Sequence, residues 1–273
     1  PFFLREALSD VYYRKSPSEQ KEYIRAERTT TIPGYLDEEG LSNNIQNLYR
    51  EVDFYQNAVN LVTMDFVSPL APVAPSIYQF FTLDTVLIGN DSCAHISFKP
   101  RQSQDLAFIG ELWVSIDSTY ALRKIEARIP EGINLNWVTD LQVEQSYDWI
   151  TTSDGKRGLV LTRDEIVMDY GISKRNEART VLAHKTTLRQ NYTLNQPYPD
   201  SLFRTSANVF KDPRATLRPK EFWEKNRPDT LDAHEQGVYK MLDSLNGHAP
   251  FIRFMNTLKL LVDGYVSPGG VDI

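Results

Sequence analysis

The stretch that decides the fold is Ala107-Phe-Ile-Gly-Glu-Leu-Trp-Val-Ser-Ile-Asp117. Phe108, Gly110, Leu112, Val114 and Ile116 share one face, and Ile109, Glu111, Trp113, Ser115 and Asp117 the other. A period of two with one apolar and one mixed face marks a half-buried strand. The same alternation appears upstream, where Ala94, Ile96 and Phe98 interleave with Cys93, His95, Ser97 and Lys99. Downstream, Ile125, Ala127 and Ile129 alternate with Lys124, Glu126 and Arg128, and Trp137, Leu141, Val143, Tyr147 and Trp149 with Asp140, Gln142, Glu144 and Asp148. Turn residues separate the runs at Gly89-Asn-Asp91, Asp117-Ser-Thr119, Pro130-Glu-Gly132 and Ser153-Asp-Gly-Lys156. With Leu159 to Tyr170 and Val181 to Tyr192 added, about seven strands form a meander, which predicts a strongly curved antiparallel sheet.

The flanks read differently. Ser16-Pro-Ser-Glu19 has the form of a capping box with proline at the first helical position, and Ile45, Leu48, Tyr49, Val52 and Tyr55 recur at helical steps. Phe66 to Pro75 holds three prolines in seven residues, Pro69, Pro72 and Pro75, and is expected to be a connection. From about residue 218 the helical period returns. Asp232-Ala-His-Glu235 is a capping box ahead of Val238, Met241, Leu242 and Leu245, and Phe251, Phe254, Met255, Leu258, Leu261 and Val262 form an amphipathic stripe. The expected fold is therefore α+β: a helical lead-in over 1–70, a curved antiparallel β-sheet over 71–217, C-terminal helices over 218–266 packing on that sheet, and a linker over 267–273, all in one folding unit.

Composition narrows the function. The 273 residues are 41% hydrophobic and 24% charged, ordinary globular material. A formal net charge of −6 without a Lys/Arg cluster argues against nucleic acid as a partner. The single Cys93 excludes an intrachain disulfide and reads as a buried thiol. No apolar run is long enough for a spanning helix, and both ends, Pro1-Phe-Phe-Leu-Arg5 and Asp263 to Ile273, read as cuts through a longer chain.

Catalytic motifs are missing. The four histidines, His95, His184, His234 and His248, lie in no His-x-x-Glu or paired-histidine spacing. There is no nucleophile elbow, phosphate loop or dinucleotide fingerprint. Asp164, Glu165 and Asp169 could be imagined as a glycosidase pair, but a solvated strand face explains them better, and His234 beside Glu235 reads as a helix cap. No catalytic residue, metal or cofactor is expected. The positive signal is the curved sheet, which either fills its concavity with core, the outcome that burial energy favours, or leaves a greasy cleft. Phe108, Leu112, Val114, Ile116, Ile125, Ile129, Leu141 and Val143 are the candidates to line such a cleft.

Several strings in fixed order carry a resemblance: Tyr12-Tyr-Arg-Lys-Ser-Pro17 with Lys21-Glu-Tyr-Ile24, Phe54-Tyr-Gln-Asn57, Phe66-Val-Ser-Pro-Leu70, Phe108 to Val114, Ile133-Asn-Leu-Asn-Trp-Val138 and Phe222-Trp-Glu-Lys-Asn-Arg-Pro228. The chain resembles the periplasmic segment of a domain-of-unknown-function family in outer-membrane proteins of the Bacteroidota. Members of that family carry a carboxypeptidase regulatory-like β-sandwich upstream and a C-terminal β-barrel downstream. The strands from Tyr78 to Tyr147 also resemble the half-barrel of lipoprotein carriers of the LolA type. These resemblances imply a non-enzymatic domain on the periplasmic face of the outer membrane, with its own barrel and sandwich as partners and a lipid, lipoprotein or other envelope component as a possible ligand. A structural spacer and an uncharacterised hydrolase are the alternatives. In this setting Trp223, Arg227 and Pro228 are expected to fix the exit helices.

Overall fold

The computed structural model describes residues 3–31, 52–61, 64–133, 135, 138–152, 155–174, 177–195, 198–204, 206–228, 236–237 and 239–240. The chain divides into two compact units, Asn43–Asn195, and Pro1–Ser42 together with Gln196–Ile273.

The larger unit is built on the predicted meander. Its strands follow two others in the chain, so they are numbered after β1 (Phe3–Arg14), β2 (Glu19–Thr31), β3 (Ala58–Leu61) and β4 (Met64–Val67). They are β5 (Tyr78–Ile88), β6 (Asp91–Pro100), β7 (Ile109–Ser115), β8 (Leu122–Arg128), β9 (Val138–Thr151), β10 (Arg157–Lys174) and β11 (Glu177–Leu188). Each pairs with its sequence neighbours, giving an open antiparallel sheet with β5 and β11 as its edges. Gly89, at φ +61°, supplies the left-handed residue that the β5–β6 turn requires.

One face of this sheet is covered by the chain's own residues 52–78. Instead of the connection that three prolines suggested, this segment is a plug: the β3–β4 hairpin, a turn, and a short helix at Ala74–Ile77. Phe54 and Phe66 stand against Phe108 at ring-centroid distances of 5.4 and 5.1 Å, and all three are fully buried. Beneath them lie Leu112, Ile125, Leu141, Val143, Ile166 and Met168 from four neighbouring strands, β7 to β10. Each such side chain contributes about 1.5–3 kcal/mol of transfer free energy. Polar bonds set the plug's position. The Tyr78 hydroxyl donates to the Val67 carbonyl and accepts the Phe108 N–H at 3.0 Å. The Gln145 amide, fully buried, donates to the Val52 carbonyl at 2.7 Å and to Asp164 Oδ1 at 2.8 Å, while the Tyr147 hydroxyl donates to Gln145 Oε1 at 2.7 Å.

In the smaller unit the predicted helical lead-in is replaced by a β-hairpin. Strands β1 and β2 pair antiparallel around residues 15–18, and β12 (Val209–Lys211) adds in parallel to β2. The capping-box letters Ser16 to Glu19 form the turn. Glu19 pairs across the hairpin with Arg14 at 2.5 Å instead of reaching back to a helix start. Residues 52–57, where the second helical stripe ended, are irregular, with Val52 and Phe54 buried; its earlier positions lie outside the described residues. A helix does form at Lys220–Asn226, with Trp223 buried. Arg227 lies over Trp223 at 5.9 Å and grips Glu6 of β1, which also accepts from the Tyr239 hydroxyl at 2.6 Å. Burial works against the Glu6 carboxylate, but the bonds from Arg227 and Tyr239 outweigh it and hold its pKa below the ordinary value. The predicted stripe from Phe251 to Val262 and the linker over 267–273 lie outside the described residues.

Candidate functional site

The eight residues named to line a cleft, had the sheet stayed open, separate into two groups. Phe108, Leu112, Ile125, Ile129, Leu141 and Val143 are buried, so they form core and line no cleft. The cause is residues 52–78: Phe54 and Phe66 occupy the apolar face, and leaving it open would forgo that burial. Val114 is only partly buried and Ile116 is 52% exposed.

Strand register explains this division. Leu87 stands opposite Ser92, whose carbonyl accepts the Ile116 N–H at 2.9 Å. Thr85, Ala94 and Val114 make the next row, and Thr82, Ile96 and Leu112 the one after, already at the core. The plug therefore covers the middle of the face and stops short of the β5 corner. There, Phe80, Leu83 and Leu87 are exposed, Leu87 at 73%. Phe81, on the opposite face of β5, is exposed as well. Edge strands are usually guarded by charge. Strand β11 carries His184 and Lys185 among its described side chains, whereas β5 carries Asp84 alone. A bulge at Leu83, where the register shifts between Thr82 and Asp84, is the other irregularity of the edge.

Asp84 is held from the opposite face. His95 Nδ1 lies 2.9 Å from Asp84 and Nε2 2.8 Å from Glu111, and the ring stacks on Trp113 with centroids 4.5 Å apart and planes 9° apart. The Lys124 ammonium sits 5.2 Å over the same Trp113 and bonds Glu126 and Glu144. Burial opposes charge on His95, but the bonds to Glu111 and Asp84 win and raise its pKa above the ordinary value. Strands β5, β6 and β7 are thus laced together behind the exposed corner.

The other chemical candidates do not converge. His184 Nε2 lies 2.7 Å from Glu165, yet on the exposed outer face of the sheet rather than inside a pocket. Asp164 is buried beside Gln145 while Glu165 faces the other way toward Arg163 and His184. Asp169 lies four residues beyond Glu165, about 13 Å along the strand, too far for a glycosidase pair. His234 and His248 lie outside the described residues. Among the described residues no three His, Cys, Asp or Glu side chains are placed to hold a metal. Cys93 is buried, its thiol pKa raised by that burial.

Two features escaped the sequence reading. The exposed edge had a usable signal, the run Tyr78 to Ile88 with a single charge. The other is a pocket of 430 Å³ in the smaller unit, lined by Tyr12, Lys21, Tyr23, Leu202 and Phe210 among others. Lys21 is buried there, donating to the Ala207 carbonyl at 2.9 Å and Asn208 Oδ1 at 3.0 Å.

No curated protein and no solved structure matches the chain. A family model does match, over residues 1–157 of the 273, which takes in the β1–β2 hairpin, the plug and the sheet through β9. The chain therefore belongs to the Family of unknown function (DUF5686).

Proposed function

We propose that this chain is a non-enzymatic assembly segment of an outer-membrane protein. It stands on the periplasmic face between a β-sandwich and a membrane barrel, and makes contacts through the uncovered corner of its sheet. The observation that carries this reading is the division of the apolar face. Where an acyl chain would have lain in an open cleft, Phe54 and Phe66 are packed, while Phe80, Leu83, Leu87 and Ile116 stay in solvent at the corner. Several large apolar side chains exposed along one strand edge are the kind of feature that marks an interaction site. The open seven-stranded meander supports a half-barrel of the LolA type at the level of strand order. The outer-membrane placement rests on the ordered strings quoted above, and membership of a family of unknown function is compatible with it.

The test is a protease site inserted in the exposed Gly89-Asn90 turn of the protein in its own cells. Cleavage only after the outer membrane is permeabilised is expected. Cleavage in untreated cells, or persistence after permeabilisation, overturns the placement. Leu87→Lys with Ile116→Lys is expected to release the segment's contacts with envelope partners while preserving its fold. Unchanged co-isolation overturns the contact surface.

A lipid-binding reading has one observation in its favour, the pocket of Tyr12, Tyr23, Leu202 and Phe210. Native mass spectrometry of the purified chain decides it. An acyl-bearing mass that disappears in Phe210→Ala supports a ligand site in the smaller unit, and the bare mass in both proteins removes it.

A further inference from the structure

We infer that the edge of β5, which no strand among the described residues pairs with, pairs with the β5 of a second copy of this chain, antiparallel and about a two-fold axis at Leu83 and Asp84. This rests on the corner being a contact surface, and it names the occupant. The argument begins with the backbone. An edge strand presents a row of N–H and C=O groups that another strand satisfies and an acyl chain does not. Apolar side chains lie on both faces of β5, with Phe80 and Leu87 on the core side and Phe81 on the other. A ligand seated on one face leaves the other wet, whereas an added strand shelters both.

The sequence of β5 is complementary to itself in one register. Antiparallel pairing about Leu83 and Asp84 sets Phe80 opposite Leu87 of the second copy, Phe81 opposite Val86, and Thr82 opposite Thr85. In a regular strand these pairs would mismatch, because positions seven, five and three residues apart face opposite ways. The bulge at Leu83 reverses the alternation: Phe80 and Thr82 share the core face with Thr85 and Leu87. Every one of the three pairs therefore joins side chains on the same face. The bulge, which elsewhere blunts an edge, here falls on the axis, so both copies bend at one place. The two Asp84 carboxylates flank the axis, each already hydrogen-bonded to its own His95. The aromatic–aliphatic and Thr–Thr pairs are of the kind that stabilise antiparallel ladders.

The register gives a direct test in the full chain. Thr82 and Thr85 are both exposed, so Thr82→Cys and Thr85→Cys leave the core untouched, and native Cys93 is buried away from them. Under a mild oxidant, a mixture of the two variants is expected to give a disulfide-linked dimer, because residue 82 of one copy faces residue 85 of the other. Each variant alone is expected to remain uncrosslinked. Sedimentation of the wild-type chain is expected to show a reversible monomer–dimer equilibrium that Leu87→Lys weakens by on the order of tenfold or more. A monomer at all concentrations overturns the pairing, as does equal crosslinking in every combination. Crosslinking of Thr82→Cys with itself overturns the register. Should pairing fail while Leu87→Lys with Ile116→Lys still releases envelope partners, the contact surface stands and only its occupant is wrong.

Discussion

The middle of the large sheet and its β5 corner are made of the same kinds of residue and reach opposite ends. In the middle, Phe108, Leu112, Ile125 and Val143 are sealed under Phe54 and Phe66. At the corner, Phe80, Leu83, Leu87 and Ile116 extend the same apolar character into solvent. The difference lies in the reach of residues 52–78, not in the strands. An alternating strand states which face is apolar; whether that face becomes core or contact surface depends on a segment elsewhere in the chain.

The largest expected effect tests the sealed half. Phe108→Ala removes the ring that both plug phenylalanines touch and should cost about 3–5 kcal/mol in urea unfolding. Leu87→Ala, at the corner, should change stability by less than about 0.5 kcal/mol. Similar losses at both sites would erase the distinction between the two regions. Next in size is Gln145→Leu, which leaves Asp164 and the Val52 carbonyl without the amide that serves both. A cost of about 1–3 kcal/mol is expected, with the plug exchanging its amide protons faster than the strands beneath it. If the plug kept its protection, its position would not depend on that side chain.

What the sequence made legible follows the same physics. Strands β6 to β11 announced themselves because one buried face forces a period of two and because Gly89, Asp117 and Gly132 sit at turns, whereas β5, exposed along most of its length, carries no such alternation of burial. Phe108, Leu112 and Val143 lie on the apolar face that their alternation marks, and the filled core that burial energy favours over a cleft is what forms there; the segment that fills it was not legible, because its prolines disguised the plug as a connection. In Ser16-Pro-Ser-Glu19 a hairpin turn and a helix cap use the same letters. The deciding contact, Arg14 with Glu19 across the strands, requires knowing the pairing. Val114 and Ile116 were named for a cleft; the structure retains them at the corner, where no periodicity distinguishes them from Leu112.

A smaller effect comes from His95, which fastens the corner from behind. Its pKa in the folded chain lies above the ordinary imidazole value of 6.5, so the charged form is favoured by folding. The resulting stabilisation is complete below the unfolded pKa and disappears as pH rises through the folded pKa. An NMR titration of the ring should place the wild-type midpoint above 6.5 and show it falling in Glu111→Gln, with a lesser fall in Asp84→Asn because Asp84 is the more exposed partner. A midpoint indifferent to both substitutions would detach the histidine from β5.

The smallest expected change in stability is also the most discriminating. Leu83→Lys places a charge on an edge residue that is already half in solvent, so thermal unfolding should move by less than about 0.5 kcal/mol. The same lysine is a device by which edges are protected from pairing. If the corner is only surplus apolar surface, nothing measurable should follow. If it is a contact surface, association should fall while stability holds. No residue in the sealed middle offers that combination, since any lysine there must first break the core. The dissociation of association from stability at Leu83 is therefore what separates a surface kept open for a partner from a core left unfinished.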